Sequence, residues 1–142
     1  MLGPALAHAF ELPGKIMLPR EEYFIVQQIY RGWNGFAVVL VVQLASLLTT
    51  AFLVRRQPRV LVPTILALFF VLASQVLFWA YTYPANVATA NWTVQSANWM
   101  RLRLQWEYSH AAGAGLQLLA MSCLIIAALS RLPSRQRSYN YY

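Results

Sequence analysis

Three long apolar stretches alternate with shorter polar ones, and that alternation sets the expected fold. Gly32 to Val54, Val60 to about Tyr83, and Tyr108 to Ser130 contain no Asp, Glu, Lys or Arg. At 1.5 Å per helical residue each run reaches roughly 35 Å, enough to cross a bilayer core of about 30 Å. The pattern therefore predicts spanning helices over approximately 32–54, 60–83 and 108–130. Met1 to Phe10 is also apolar, but ten residues of helix reach only about 15 Å, so 1–10 reads as a partial helix. Pro13-Gly14 and Pro19 interrupt any helix after it, ahead of a short amphipathic segment from about Arg20 to Tyr30, so 11–31 reads as an interfacial loop carrying a short interfacial helix. Residues 84–107, rich in Asn and Trp, read as a second interfacial loop before the closing span. The expected fold is all-α: an integral membrane helical bundle of three full transmembrane helices plus a truncated first helix, in a single domain over 1–142.

Details inside these elements agree with the membrane reading. Trp33 opens the first span, and Trp79, Tyr81 and Tyr83 close the second as an aromatic belt at headgroup level. Pro63 is tolerated in the first turn of its helix. Ser109 with Gly113, and Ala111 with Gly115, place small residues four apart at the start of the last span, a spacing that permits close helix contact. Gln43, Gln75 and Gln117 each lie about ten residues, roughly 15 Å, below the same end of their helices, so they can share one layer. Amides in lipid are expected to face the bundle interior and bond between helices, or to floor a cavity.

Composition and charge narrow the class. Hydrophobic residues make up 59% of the 142 and charged residues 11%, too apolar for a soluble domain of this size. The net charge of +7 does not imply nucleic acid, because the arginines bracket apolar runs and form no basic surface with exposed aromatics. Arg55, Arg56, Arg59, Arg131, Arg135 and Arg137 stand without acids in the hairpin loop and the tail, whereas all four acids lie on the other side. The positive-inside rule then makes the hairpin loop and C-terminus cytoplasmic, with a bacterial inner membrane as the expected location. Asn91-Trp92-Thr93 matches a glycosylation sequon, which matters only in a eukaryotic secretory setting. Cys123 is the single cysteine and is expected to be a small core residue. A Gly-rich phosphate loop, a CxxC and a GxSxG elbow are all missing, which disfavours nucleotide-driven transport, thiol redox chemistry and α/β-hydrolase chemistry.

The chemistry concentrates in WMRLRLQWEYSH, Trp99 to His110. As a helix this stretch puts Trp99, Arg103, Glu107, His110, Ala114 and Gln117 on one stripe. His8-x-x-Glu11 and Glu107-x-x-His110 each place an imidazole and a carboxylate on one helical face. His8, Glu11, Glu107 and His110 could converge as ligands for one transition-metal ion, a set resembling carboxylate-bridged sites in helical bundles. The alternatives are a metal-free polar pocket, or a structural network in which Glu107 pairs with Arg103 or Arg101 and the histidines bond carboxylates. Trp99 and Trp106 flank the stripe and are candidate walls for a flat ligand, if they are not interfacial anchors.

Several segments resemble the anthrone oxygenase-like family of small membrane proteins: AHAFELPGK, YFIVQQIYRG, YPANVATANW and WMRLRLQWEYSHA, the last with an LR-x-x-WE-x-x-H arrangement at Leu102, Arg103, Trp106, Glu107 and His110. The resemblance covers nearly the whole chain. It implies a four-helix membrane bundle and, in characterised relatives, oxidation of a tricyclic anthrone to an anthraquinone. Family members look as if they begin with a full spanning helix, whereas here Met1 falls inside it, so about ten further apolar residues are expected upstream.

The functional expectation is an oxidase or oxygenase of an apolar aromatic or lipid-soluble substrate, either cofactor-free or metal-dependent. His110 or Glu107 would be the base, Arg103 the anion stabiliser, and Trp99, Trp106, Asn86, Asn91 and Gln117 the substrate contacts. The rivals are an accessory subunit of a membrane complex and a small transporter or ligand-binding protein. Expected partners are the lipid bilayer, a hydrophobic small molecule, and a second copy or a partner subunit.

Overall fold

A computed structural model describes residues 1–131. The tail arginines Arg135 and Arg137 and the terminal SYNYY lie outside the described residues. The described chain is all-α: α1 (Leu2–Lys15), α2 (Arg20–Val26) continued by a 3-10 turn (Gln27–Tyr30), α3 (Phe36–Leu53) preceded by a 3-10 turn (Trp33–Gly35), α4 (Pro58–Leu77), α5 (Tyr83–Ala88) and α6 (Trp99–Leu129). Trp33–Leu53, Pro58–Ala88 and Trp99–Leu129 are long and apolar enough to cross a membrane. Their outer faces leave Val38, Val41, Phe52, Phe69, Val76, Ile125 and Leu129 exposed, an apolar surface that suits acyl chains and would be a liability in water.

α3 and α4 form a hairpin across a turn at Val54–Gln57, and α4 packs along α6. Ala67 and Val71 of α4 meet Ala120 of α6 and Leu47 of α3 in the middle, with Leu44, Leu68 and Leu124 packed around them, and Val60 and Val54 meet Ala127 at the hairpin end. Close approach on α6 therefore comes from alanines seven apart, Ala120 and Ala127, and not from the expected glycines. A Cβ on Gly113 or Gly115 would meet nothing within 4 Å. Cys123 packs half-buried against the middle cluster.

Three expected boundaries are corrected. Pro13-Gly14 does not stop the first helix, which runs to Lys15. The hydrogen bond that Pro13 lacks falls in the last turn, and the amide just past the helix, Ile16, still bonds back to Leu12 at 2.9 Å. Pro84 does not end the second span. A π turn over Phe78–Thr82 absorbs the ring, and helix continues as α5, with Pro84 in the first turn where no amide hydrogen is needed. Tyr81, whose carbonyl lies in this distortion, accepts from Gln105 Nε2 at 2.8 Å. Finally, 84–107 is not one loop. α5 occupies its start, and α6 begins at Trp99 and adds more than two turns below Tyr108.

The short elements form an aromatic cap over the α1–α2 end. Pro19 caps α2, Glu21 and Glu22 occupy its first turn, and acids there suit the helix dipole. Tyr23, Phe24, Trp92, Leu102 and Trp106 build the cap core. Between α5 and α6, Ala90, Asn91 and Trp92 adopt φ of 47°, 55° and 64°, a left-handed run that costs about 1–2 kcal/mol for each side chain bearing a Cβ. The run is pinned by Asn91 N to Asn86 O (2.7 Å), by Trp92 N to Thr89 Oγ1 (3.1 Å), and by Gln28 Nε2 to Trp92 O (2.9 Å).

Candidate functional site

α1 and α6 lie side by side and antiparallel, because their contacts run in opposite order. His8 meets His110 (ring centroids 4.2 Å apart), Lys15 meets Glu107 (3.0 Å), and Leu18 O just past α1 accepts from Arg103 (2.7 Å). Helix through Pro13 is what makes this ladder: His8, Glu11 and Lys15 share one face at steps of three and four only if the helix continues. Lys15 is the residue the sequence reading missed. Its signal was present, at the right spacing from His8-x-x-Glu11, but masked by treating Pro13-Gly14 as a break.

A hydrogen-bonded chain follows, half-buried at Glu11 and Tyr30 and fully buried at Glu107. Tyr30 OH donates to Glu11, Lys15 Nζ donates to Tyr30 OH (2.8 Å) and pairs with Glu107 Oε1, Tyr23 OH donates to the same Oε1 (2.9 Å), and Gln27 Nε2 donates to Tyr23 OH. Glu107 is 0% exposed and Lys15 5%. Lys15 Nζ also sits 4.5 Å from the Tyr30 and Trp106 ring centroids, a cation over two aromatic faces. Burial lowers the Lys15 ammonium from its ordinary range, and Glu107 opposes that shift. Burial, with the carboxylate of Glu11 beside it, raises the Tyr30 phenol. Burial and Glu107 raise Tyr23. These tyrosines stay protonated and serve as fixed donors.

The expected site residues divide between this chain and a cavity of about 620 Å³ beside it. His8, His110, Trp106, Asn86, Asn91 and Gln117 line the cavity. Glu107, Arg103 and Trp99 do not. Glu107 is locked behind the wall by Lys15 and Tyr23. Arg103 neither pairs with Glu107 nor faces the cavity: it bonds the Leu18 carbonyl and Met100 Sδ (3.0 Å) and stacks on Trp99 (4.7 Å). Trp99 packs against Tyr23 and Phe24 in the cap. Trp33, Phe78 and Trp79 supply the further aromatic wall.

The imidazoles are specifically oriented. Trp106 stacks on His110 (3.9 Å), and His110 Nδ1 lies 2.9 Å from the Trp106 carbonyl oxygen. A carbonyl only accepts, so Nδ1 is the donor, and the neutral ring keeps its lone pair on Nε2. His8 is packed among Tyr30, Trp33, Trp106 and His110, and its Nδ1 has no partner. Burial first, and then His110 and Lys15, hold the His8 imidazole well below its usual range. Asn86 Oδ1 accepts from Trp106 Nε1 (2.9 Å) and from Trp92 Nε1 (3.3 Å), fixing both indoles.

Toward the bundle middle, Gln43 Nε2 donates to Gln117 Oε1 (3.3 Å), and Gln117 Nε2 donates to Ser74 Oγ (2.9 Å). Gln75 lines the cavity, and its neighbour Ser74 takes the bonding place expected for it. Ser109 and Thr82 hydroxyls share a bond of 2.7 Å beside the π turn.

The four candidate metal ligands do not form one shell. The histidines face each other, but Glu107 is held by Lys15 and Tyr23, and Glu11 by Tyr30. Among the described residues no three His, Cys, Asp or Glu side chains are grouped to hold a metal ion. No protein-family model, curated protein or solved structure matches the chain.

Proposed function

We propose that this membrane protein is an enzyme that takes a flat, lipid-soluble aromatic molecule into the cavity and oxidises it with base assistance. The observation that carries this reading is the pair of imidazoles at an aromatic-walled cavity, with His110 Nε2 left as a free acceptor by the Trp106 carbonyl. His110 takes a proton from an acidic C–H or O–H of the substrate. The resulting carbanion is electron-rich and gives its electron pair to dioxygen, forming a C–O bond; the proton held on His110 returns to the peroxide, and loss of water from the H–C–OOH carbon leaves a carbonyl. Arg31 is the cation that lines the cavity and favours the anion, whereas Lys15, paired with Glu107 behind the wall, holds the Trp106 ring from its far side. Glu107 holds Lys15 in place and is a positioning residue. Indole walls at Trp33 and Trp106 match flat rings, and the resemblance to anthrone oxygenase-like proteins points in the same direction. The distribution of arginines supports a cavity facing outward from a bacterial inner membrane.

The test is dioxygen consumption by purified protein in detergent, supplied with a tricyclic anthrone or a naphthol, comparing wild type with His110→Ala and His110→Gln. Loss of at least a hundredfold in rate, with melting changed by only a few degrees, is expected for a base. A His110→Ala protein that melts normally and retains its rate, or a wild type with no aromatic-dependent consumption, overturns the assignment.

A further inference from the structure

His110, Gly113 and Gln117 follow one another along the cavity-facing side of α6, and all three line the cavity. A Cβ on Gly113 would meet nothing within 4 Å, so the space above the helix is open between the imidazole and the amide. His110 Nδ1 is spent on the Trp106 carbonyl, and the neutral ring offers Nε2 as an acceptor. Gln117 is 5% exposed. It gives one amide hydrogen to Ser74 Oγ and receives Gln43 on its oxygen, which leaves its second amide hydrogen as a donor. His8, 6% exposed, adds an unpartnered Nδ1 at the imidazole end.

Building on the aromatic-pocket reading above, we infer that the ligand of this cavity is a ring carrying two oxygens on opposite carbons, in its reduced hydroxyl form: a 1,4-dihydroxyaromatic compound, bound between His110 and Gln117. Seven residues of helix separate the two side chains by about 10.5 Å along the axis. Both lean toward the helix N-terminus, so the offset persists at their tips. Subtracting a hydrogen bond of about 2.8 Å at each end leaves about 5 Å. That span matches two oxygens placed across a single six-membered ring and is too long for oxygens on adjacent carbons. The polarity matches as well: one hydroxyl donates to His110 Nε2 while the opposite oxygen accepts from the Gln117 amide. Over Gly113 the ring face can lie against the helix, with the Trp106 indole at one side. A volume of about 620 Å³ accommodates two or three fused rings, within the usual range of ligand pockets.

The test is anaerobic calorimetric titration of the full chain in nanodiscs of one zwitterionic phospholipid, with 1,4-dihydroxynaphthalene, 1,2-dihydroxynaphthalene and 1-naphthol. The 1,4-diol should bind about tenfold tighter than the other two, the effect of one added hydrogen bond. Gln117→Leu should bring the 1,4-diol down to the affinity of 1-naphthol and leave 1-naphthol itself unchanged. Gly113→Leu should abolish binding of all three while the protein still folds, since the added side chain enters open space. Gln117 also links Gln43 and Ser74, so if Gln117→Leu does not fold, the three ligands and Gly113→Leu decide. Equal binding of all three ligands overturns the two-ended ligand and leaves the aromatic pocket standing. Binding to Gly113→Leu at wild-type affinity also overturns it, and no binding of any of the three overturns both.

Discussion

Removing Lys15 probes the buried ion pair that underlies the site. At 3.0 Å from Glu107, with an effective dielectric near 20, the Coulomb attraction is about 5 to 6 kcal/mol. Much of that offsets the desolvation of two nearly inaccessible charges. Lys15→Met leaves the Glu107 carboxylate, 0% exposed, with the Tyr23 hydroxyl on Oε1 and nothing on Oε2. Breaking one partner of such a pair costs about 3–5 kcal/mol, which for a chain of this length lowers the melting temperature by roughly 10–15 °C. Adding Glu107→Gln to Lys15→Met removes the stranded charge and still offers Tyr23 an amide oxygen. The double variant should therefore melt within a few degrees of wild type, a coupling of about 2 kcal/mol or more. Lys15 also donates to Tyr30, but that loss is common to both variants and cancels in the cycle. Melting of all four proteins, wild type, the two single variants and the double, followed by tryptophan fluorescence in one detergent, measures the coupling. A Lys15→Met protein that loses less than about 1 kcal/mol, or a double variant that melts below Lys15→Met, would refute a tightly coupled pair.

Acid should destabilise the protein through His8. Its folded value is depressed, so the stability is fully present above the unfolded imidazole's value near 6.5 and is lost as pH falls below it, by at most about 1.4 kcal/mol per pH unit from this group; melting from pH 7 to pH 5 should show a slope of that sign, and His8→Phe should make it shallower. Ala90→Gly should stabilise by about 0.5–1 kcal/mol, because Ala90 is exposed with φ of 47° and glycine carries no Cβ penalty there; a lower melting temperature for that variant would argue against the left-handed run. A reporter inserted in the hairpin turn near Arg56 should behave as cytoplasmic and one near Ser96 as external, and the opposite pattern would place the cavity on the inner side.

The sequence by itself determined the spans, because bilayer thickness fixes how long an apolar run must be, and an uncharged run of that length has few other stable fates. It also marked Glu107-x-x-His110, since helical spacing alone puts i and i+3 on one face, and it placed Gln43 and Gln117 at a common depth by counting. Which neighbours those side chains meet was decided only by the tertiary structure. The antiparallel register of α1 against α6 sets Lys15, not Arg103, beside Glu107, and no local pattern encodes that register. Continuation of helix through Pro13 depends on packing of the following turn against α6, which outweighs one missing hydrogen bond. Trp99 and Trp106, seven residues apart, share a face of α6, and their position along the helix decides that Trp106 reaches both cap and cavity while Trp99 meets only the cap. The cavity itself is a property of packing. It exists because Pro4 and Ala5 of α1 and Leu40 of α3 face Gly113 across open space and because Ala120 and Ala127 draw α4 in farther down. Periodicity fixes which residues share a face, but the space left between faces follows from how the helices are set against one another.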